Sequence, residues 1–147
     1  MVLYEELERL IGIPLFIAVF LSWFISQTIK IIIYSIKKKK LNLKLYLTGS
    51  GMPSTHSATF AALAYGIFLS EGITNLFIVT LIFSLLVMRE VIGFRTISII
   101  SNTINTILDA LNLSNKKVNE DVGHTIKEVI VGIIIGLITT WFIFNIY

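Results

Sequence analysis

The chain of 147 residues has no cysteine, only two prolines, two histidines and 14% charged residues. The absence of cysteine excludes disulfides, thiolate nucleophiles and zinc–thiolate centres. Soluble domains usually carry about a quarter charged residues, whereas here 55% of the residues are hydrophobic. A bilayer core ~30 Å thick needs about 20 apolar helical residues, and the apolar runs of this chain are long enough. The composition therefore indicates a membrane protein.

The apolar runs predict an all-α integral membrane protein, a single domain with about four transmembrane helices plus one amphipathic interfacial helix. The expected spans cover about residues 10–36, 56–70, 75–92 and 125–146. Over residues 94–113, isoleucine and leucine recur at three- and four-residue spacing, with serine, threonine and asparagine on the other faces. That pattern favours a helix that lies along the membrane interface over a further span.

The positive charges fall mostly on one side of these four crossings. Lysines at 37–40 follow the first span, and a short acidic segment precedes it. By the positive-inside rule the lysine side is cytoplasmic, so both termini of this multi-pass cell-membrane protein are expected outside the cytoplasm. Because the basic residues flank spans and no aromatic-interleaved basic module is visible, membrane lipids are the expected partner and nucleic acid is not.

The most informative stretch is residues 48–57, which read TGSGMPSTHS and lead into an apolar run. Gly51 allows a tight turn, Pro53 presets φ for a helix start, and Ser54 offers a hydroxyl beside the unpaired amides of a first helical turn. A helix start flanked by glycines and lysines is suited to an anion such as phosphate, and His56 stands in the same turn. The same residue types are also ordinary for a loop before a capped helix.

A second cluster precedes the last span. His124 and Glu128 are four residues apart, so the carboxylate can accept a hydrogen bond from the imidazole and leave the other ring nitrogen free to attack. Thr125 and Glu128 also form the pattern of a capping box, in which Glu128 only satisfies the helix N-terminus. The spacing leaves both interpretations open. No metal is expected, because no compact ligand spacing such as His-Glu-x-x-His is present.

The first span contains one side-chain amide and one charged residue. Gln27 and Lys30 are three apart and share a helix face. An ionisable residue within a span is costly, which makes Lys30 a functional candidate. The alternative is that Lys30, within two turns of the lysine cluster, only extends its ammonium group to the interface.

The segment Gly51-Met-Pro-Ser-Thr-His-Ser-Ala58 resembles the Pro-Ser-x-His signature of the type 2 phosphatidic acid phosphatase superfamily. It is most similar to the divergent branch described as acid phosphatase/vanadium-dependent haloperoxidase related. The resemblance implies that His56 is the general acid, His124 the nucleophile that becomes phosphohistidine, and Glu128 the carboxylate that orients it. It also implies a phosphate-binding set without a cofactor: Ser54, Gly51, Lys44, Arg95, Lys30 and Gln27.

The chain departs from the superfamily pattern in its charges. The Lys-x₆-Arg-Pro motif is absent, Glu128 replaces the usual aspartate, and Val118 stands where the superfamily carries an arginine. The resemblance implies a phosphatase that acts on a lipid phosphate or a phosphorylated isoprenoid. The charge bias places its site at the cytoplasmic face, which differs from the many superfamily lipid phosphatases whose sites face outward. Because phosphoryl transfer depends on fixed positive charge, a non-catalytic headgroup-binding or scaffolding protein is the alternative. A third interpretation is a transporter for a small anion or lipid, and a bundle this small leaves room for a homodimer.

Overall fold

The structure, a computed structural model of the protein, describes residues 14–39, 51–113, 117–118 and 123–147. Within these ranges the chain forms five α-helices and no β-strand. The helices are α1 (Pro14–Lys38), α2 (Thr55–Glu71), α3 (Asn75–Gly93), α4 (Arg95–Ala110) and α5 (Ile126–Ile146). The all-α membrane bundle predicted from the apolar runs is confirmed.

Three helical stretches are long and apolar enough to cross a membrane, namely Pro14–Lys37, Asn75–Ala110 and Ile126–Ile146. The second of these joins α3 to α4, which are separated only by Phe94. Helix α2 has 17 residues and is about 25 Å long at 1.5 Å per residue, shorter than the ~30 Å hydrocarbon core. A fourth crossing by α2 and an interfacial position for α4 stay predictions.

The helix boundaries differ from the expected ones by a few residues. Helix α1 continues to Lys38 rather than residue 36, and residues 10–13 of the expected span lie outside the described part of the chain. Helix α4 ends at Ala110 rather than at 113. The reason is that Asn112 adopts a left-handed conformation with φ of 56°, which a continuing right-handed helix does not accommodate.

Hydroxyl side chains set the starts of three helices. The side chains of Ser54, Thr74 and Thr125 accept hydrogen bonds from amides in the first turns of α2, α3 and α5, respectively. Helix α2 ends where Gly72 takes a positive φ of 73°, a conformation that glycine adopts without steric cost. The polar residues between the apolar runs therefore determine where these three helices begin.

Helix α2 lies at the centre of the bundle and packs against α1, α3 and α5, while α1 also packs against α5. Among the described helices, α4 contacts only α3. The outward faces of the helices carry large hydrophobic side chains that are exposed in the isolated chain. An apolar exterior around a small and partly polar interior is typical of a helical membrane bundle.

Small residues allow α2 and α5 to approach each other closely. A Cβ atom on Gly132 would clash with the carbonyl oxygen of Ser54, and one on Gly136 would clash with that of Ala58. One turn further along, the fully buried Thr140 donates to the carbonyl of Ala62 at 3.4 Å. Spacing of four residues places these small side chains on one face of α5, so the start of α2 is held directly against the first turns of α5.

Candidate functional site

The starts of α2 and α5 meet through a backbone hydrogen bond. The amide of Ser54 donates to the carbonyl oxygen of Glu128 at 3.0 Å. The Ser54 hydroxyl oxygen is fully buried and accepts from the amide and the hydroxyl of Ser57, at 3.4 and 2.9 Å. The resemblance placed Ser54 in the phosphate-binding set, which implies that its hydroxyl and its amide both donate to the phosphate. The structure differs, because the amide already bonds to Glu128 and only the hydroxyl hydrogen is left for that role.

The carboxylate of Glu128 holds both the helix start and the imidazole of His124. Its Oε2 accepts from the amide of Thr125 at 2.8 Å and lies 3.3 Å from His124 Nδ1. The amide of Glu128 in turn donates to the Thr125 hydroxyl at 3.3 Å, which completes a capping box. Glu128 therefore makes both contacts that the spacing allows, the capping box and the contact with the imidazole. With Nδ1 facing the carboxylate, Nε2 is the ring nitrogen left for chemistry.

The backbone around His124 is fixed by the junction of α3 and α4. The amide of His124 donates to the carbonyl oxygen of Val91 at 2.7 Å. Gly123 has φ of 79°, and a Cβ there would clash with the backbone of Phe94 and Arg95. The side chain of His124 is only 3% exposed. Its position is thus set by α5 on one side and by the α3–α4 junction on the other.

The environment of His124 favours a neutral imidazole. Burial lowers the pKa of His124 below its ordinary value of 6.5, and the charges of Lys30 and His56 also lower it. The hydrogen bond to Glu128 and its negative charge raise the pKa of His124 and so oppose these effects without reversing them. A nucleophilic imidazole must be unprotonated, so the net direction suits attack at neutral pH.

His56 lies beside His124 on the first turn of α2. The ring centroids of the two histidines are 6.4 Å apart, with an interplanar angle of 61°. Unlike His124, the His56 side chain is exposed. General acids act over hydrogen bonds of about 3 Å, so rings at this separation can act on different atoms of one phosphoryl group.

Polar groups of α1 complete the cluster. Lys30 and Gln27 are 3% and 4% exposed. The Thr55 hydroxyl donates to Gln27 Oε1 at 3.0 Å, and a Cβ on Gly51 would lie 3.5 Å from Cγ of Lys30. The alternative in which Lys30 extends into solvent at the interface is therefore wrong, because the side chain is buried against the loop that precedes α2.

A family model described as the Divergent PAP2 family matches residues 12–139. The chain belongs to this family. It is similar to an uncharacterized membrane protein of Bacillus subtilis (strain 168), YuiD, with 31% identity over 132 residues, which cover 78% of this chain and 84% of that protein. No solved structure matches the chain. Membership of the Divergent PAP2 family and the three candidate spans together identify a membrane protein related to the phosphatidic acid phosphatases.

The residues expected to bind phosphate differ in their position relative to the two histidines. Gln27 accepts from Thr55, the residue before His56. Lys30 lies against Gly51, and its charge acts on His124. Ser54 bonds to Glu128, the partner of His124. Arg95 begins α4 with an exposed side chain, and its backbone abuts Gly123. Lys44 lies outside the described residues. Among the described residues, no group of three or more histidine, cysteine, aspartate or glutamate side chains is arranged to hold a metal ion.

Three groups that position the site were missed as functional candidates. Thr55 connects α2 to Gln27, the carbonyl of Val91 holds the amide of His124, and Gly132 permits Ser54 to approach α5. The four-residue spacing of Gly132 and Gly136 was a signal for close helix packing in a membrane. A backbone carbonyl such as that of Val91 leaves no signal in the sequence.

Proposed function

We propose that this member of the Divergent PAP2 family is a phosphatase that acts on a lipid phosphate or a phosphorylated isoprenoid through a phosphohistidine intermediate. The observation that carries the proposal is the arrangement of two imidazoles 6.4 Å apart, one of them buried and in contact with a carboxylate. A nucleophile, the group that orients it and a neighbouring acid are the parts that such a reaction requires.

The reaction would proceed in two steps. Nε2 of His124 attacks phosphorus, the bond from phosphorus to the leaving alcohol oxygen breaks, and protonated His56 gives its proton to that oxygen. Glu128 stabilises the positive charge that develops on the His124 ring. His56, now neutral, then takes a proton from water, which attacks the phosphorus and breaks the phosphorus–nitrogen bond. Inorganic phosphate leaves, and both histidines return to their starting states.

The groups around the histidines would hold the phosphoryl oxygens. The buried Lys30 supplies fixed positive charge, and the hydroxyl of Ser54 supplies a donor at the start of α2. Arg95 has an exposed side chain beside the segment of His124, from which it would reach a bound headgroup. Fixed charges of this kind stabilise the transition state of phosphoryl transfer and would take the place of the superfamily arginines that this chain lacks.

The test is phosphate release by the purified full chain in detergent, measured with a panel of lipid phosphates and isoprenoid phosphates. We expect turnover that persists with a chelator. His124→Ala should abolish turnover, and His56→Ala should reduce kcat about 10²- to 10⁴-fold, as expected for loss of a general acid. Acid-labile radioactive phosphate retained on His56→Ala but not on His124→Ala would identify the phosphohistidine.

Thr59→Ala is the matched control, because Thr59 is on the same helix and its hydroxyl donates only to the carbonyl of Thr55. Its turnover should equal that of the unchanged protein. Turnover that survives in both histidine variants would contradict the mechanism.

A headgroup-binding protein without turnover is the second candidate. Its support is that the capping box at Thr125 and Glu128 gives this carboxylate a structural role that needs no reaction. The same assay separates the two proposals. Tight binding of lipid phosphate without turnover, weakened in Lys30→Met, would favour the binding protein.

The proposed cytoplasmic position of the site is tested with a cysteine introduced at Met52. The natural chain has none, so labelling by a membrane-impermeant maleimide reports that position alone.

A further inference from the structure

A short connecting segment is attached to the polar side of α4. The side-chain amide of Asn105 donates to the carbonyl oxygen of Val118 at 2.8 Å, and its Oδ1 accepts from the amide of Val118 at 2.8 Å. One helical turn further along, Asp109 forms an ion pair with Lys117 at 2.9 Å. The side chains of Asn105 and Asp109 therefore hold residues 117 and 118 on α4.

Asn105 differs from the other polar side chains of α4. It is only 4% exposed, whereas Asn102 on the same helix is exposed. A buried side-chain amide is costly unless its donor and acceptor are both used, and the backbone of Val118 satisfies one of each. Val118 contributes only backbone atoms to this pair of hydrogen bonds. The pair therefore depends on the path of the segment and not on the side chain at position 118.

The same segment continues to the proposed nucleophile. Five residues after Val118, Gly123 abuts the backbone of Phe94 and Arg95, and the next amide, that of His124, bonds to Val91. Five residues span at most about 18 Å even when fully extended. The segment is thus attached to the α3–α4 region at Val118 and again at residues 123–124, with His124 at its end.

We propose that Asn105 is a positioning residue for His124: it fixes the backbone of residue 118 on α4 and so limits where the imidazole can lie. The inference rests on the proposed function for its kinetic consequence, although the positioning itself can be measured without turnover. Helix α4 presents exposed isoleucines away from this polar side, among them Ile100, Ile104 and Ile107. An apolar face of this kind is suited to contact with lipid.

The kinetic test compares Asn105→Ala with the matched control Asn102→Ala in the full chain. A displacement of a reacting group by about 1 Å costs up to 10²-fold in rate. We expect kcat of Asn105→Ala to fall at least about tenfold with KM unchanged, and Asn102→Ala to match the unchanged protein. Asn105→Asp keeps the acceptor for the amide of Val118 and loses the donor to its carbonyl, so its kcat should lie in between.

The second measurement reads the position of His124 without turnover. The chain has two histidines, so histidine labelled with ¹⁵N gives two ring titrations by NMR, and His56→Gln assigns them. The charged groups around His124 are Glu128 on α5, Lys30 on α1 and His56 on α2, and none is changed in Asn105→Ala. Loosening the segment admits water, so the pKa of His124 should rise toward 6.5 in Asn105→Ala and stay in place in Asn102→Ala.

The two measurements separate the outcomes. A lower kcat with a shifted His124 titration supports the proposal. A shifted titration in a protein that shows no turnover also supports positioning, and it is then the proposed phosphatase function that fails. An unchanged titration, with activity lost only in proportion to unfolded protein, would show that Asn105 merely stabilises the fold and would overturn the proposal. If Asn105→Ala does not fold, the same readouts on Asn105→Asp decide.

Discussion

The two sides of the candidate site are built in different ways. On one side, α1, α2 and α5 pack with small residues at their contacts, and the carbonyls of Ser54 and Ala58 approach glycines of α5. On the other side, α4 contacts only α3 among the described helices, and polar side chains attach residues 117–118 to it. His56 and Lys30 belong to the first side, whereas the segment that leads to His124 is held by the second.

The two sides should therefore tolerate different kinds of change. Close packing of backbones leaves no space for an added side chain, so a change there costs stability. Hydrogen bonds to an exposed segment contribute little to the stability of the bundle, so a change there should affect chiefly the position of His124. Four further changes test this contrast.

Gly136→Leu should disrupt the packed side most strongly. Any Cβ at this position clashes with the carbonyl of Ala58, so we expect a loss of about 3 kcal/mol in the free energy of unfolding, the upper range for overpacking. Gly93→Leu is the matched control, because a Cβ there meets no atom within 4 Å. Unfolding in mixed micelles with increasing SDS measures both. Equal stability of the two variants would show that α2 and α5 are not closely packed.

Glu128→Gln tests the group that joins the two sides. Glutamine can keep the capping box, but the charge beside the imidazole is lost, so we expect kcat/KM to fall about 10- to 100-fold, the range for a charge-assisted hydrogen bond. Glu128 raises the pKa of His124, which burial lowers below 6.5. Attack needs the neutral ring, so activity is lost as pH falls through this pKa. Removing the charge lowers the pKa further, and the acid limb of the kcat/KM profile should move to lower pH. A shift to higher pH would contradict this assignment.

Thr55→Val tests the link between α2 and α1. The variant removes the donor to Gln27 Oε1 and keeps the shape of the side chain, so the free energy of unfolding should fall by about 1 kcal/mol. Thr59→Val is the control one turn along the helix, since its hydroxyl bonds only to the backbone of its own helix at Thr55. Thermal unfolding in detergent compares the two variants. If Thr59→Val is as unstable as Thr55→Val, the hydrogen bond between Thr55 and Gln27 contributes nothing specific to stability.

Asp109→Asn should have the smallest effect. Both partners of its ion pair with Lys117 are about half exposed, and exposed pairs contribute about 0.2–1 kcal/mol. We expect the melting temperature to stay within about 2 °C and kcat to fall less than about threefold, with the difference vanishing at high salt because screening already weakens the pair. A larger loss than that of Asn105→Ala would assign the attachment of the segment to the ion pair instead.

Much of the fold could be predicted because local patterns determine it. Apolar runs predicted the helices, Ser54 and Thr125 predicted the starts of α2 and α5, and the three- and four-residue spacing of isoleucine and leucine in 94–113 predicted an amphipathic helix. The contacts between helices could not be predicted in the same way. Gly132 and Gly136 suggest close packing, but nothing in their spacing specifies α2 as the partner, because that choice depends on the shapes of all the surfaces that compete for it.

The candidate site was predictable where its parts are neighbours in sequence. Spacing of four residues gave the contact of His124 with Glu128, and the capping box was also readable from Thr125. The burial of Lys30 against Gly51 and the bond of Thr55 to Gln27 join residues far apart in the chain, and only the packed bundle brings them together. The amide already used at Ser54 could not be foreseen, because its acceptor is a backbone carbonyl and every residue carries one.

The hydrogen bond between Ser54 and Glu128 has a consequence for the order of synthesis. Helix α2 leaves the ribosome well before α5, and until α5 enters the membrane the Ser54 amide has no Glu128 carbonyl to meet. Until then a nascent chain carries the start of α2 without His124, the nucleophile of the proposed mechanism. If that mechanism holds, a chain whose translation stops before residue 124 has no phosphatase activity toward the lipids around it.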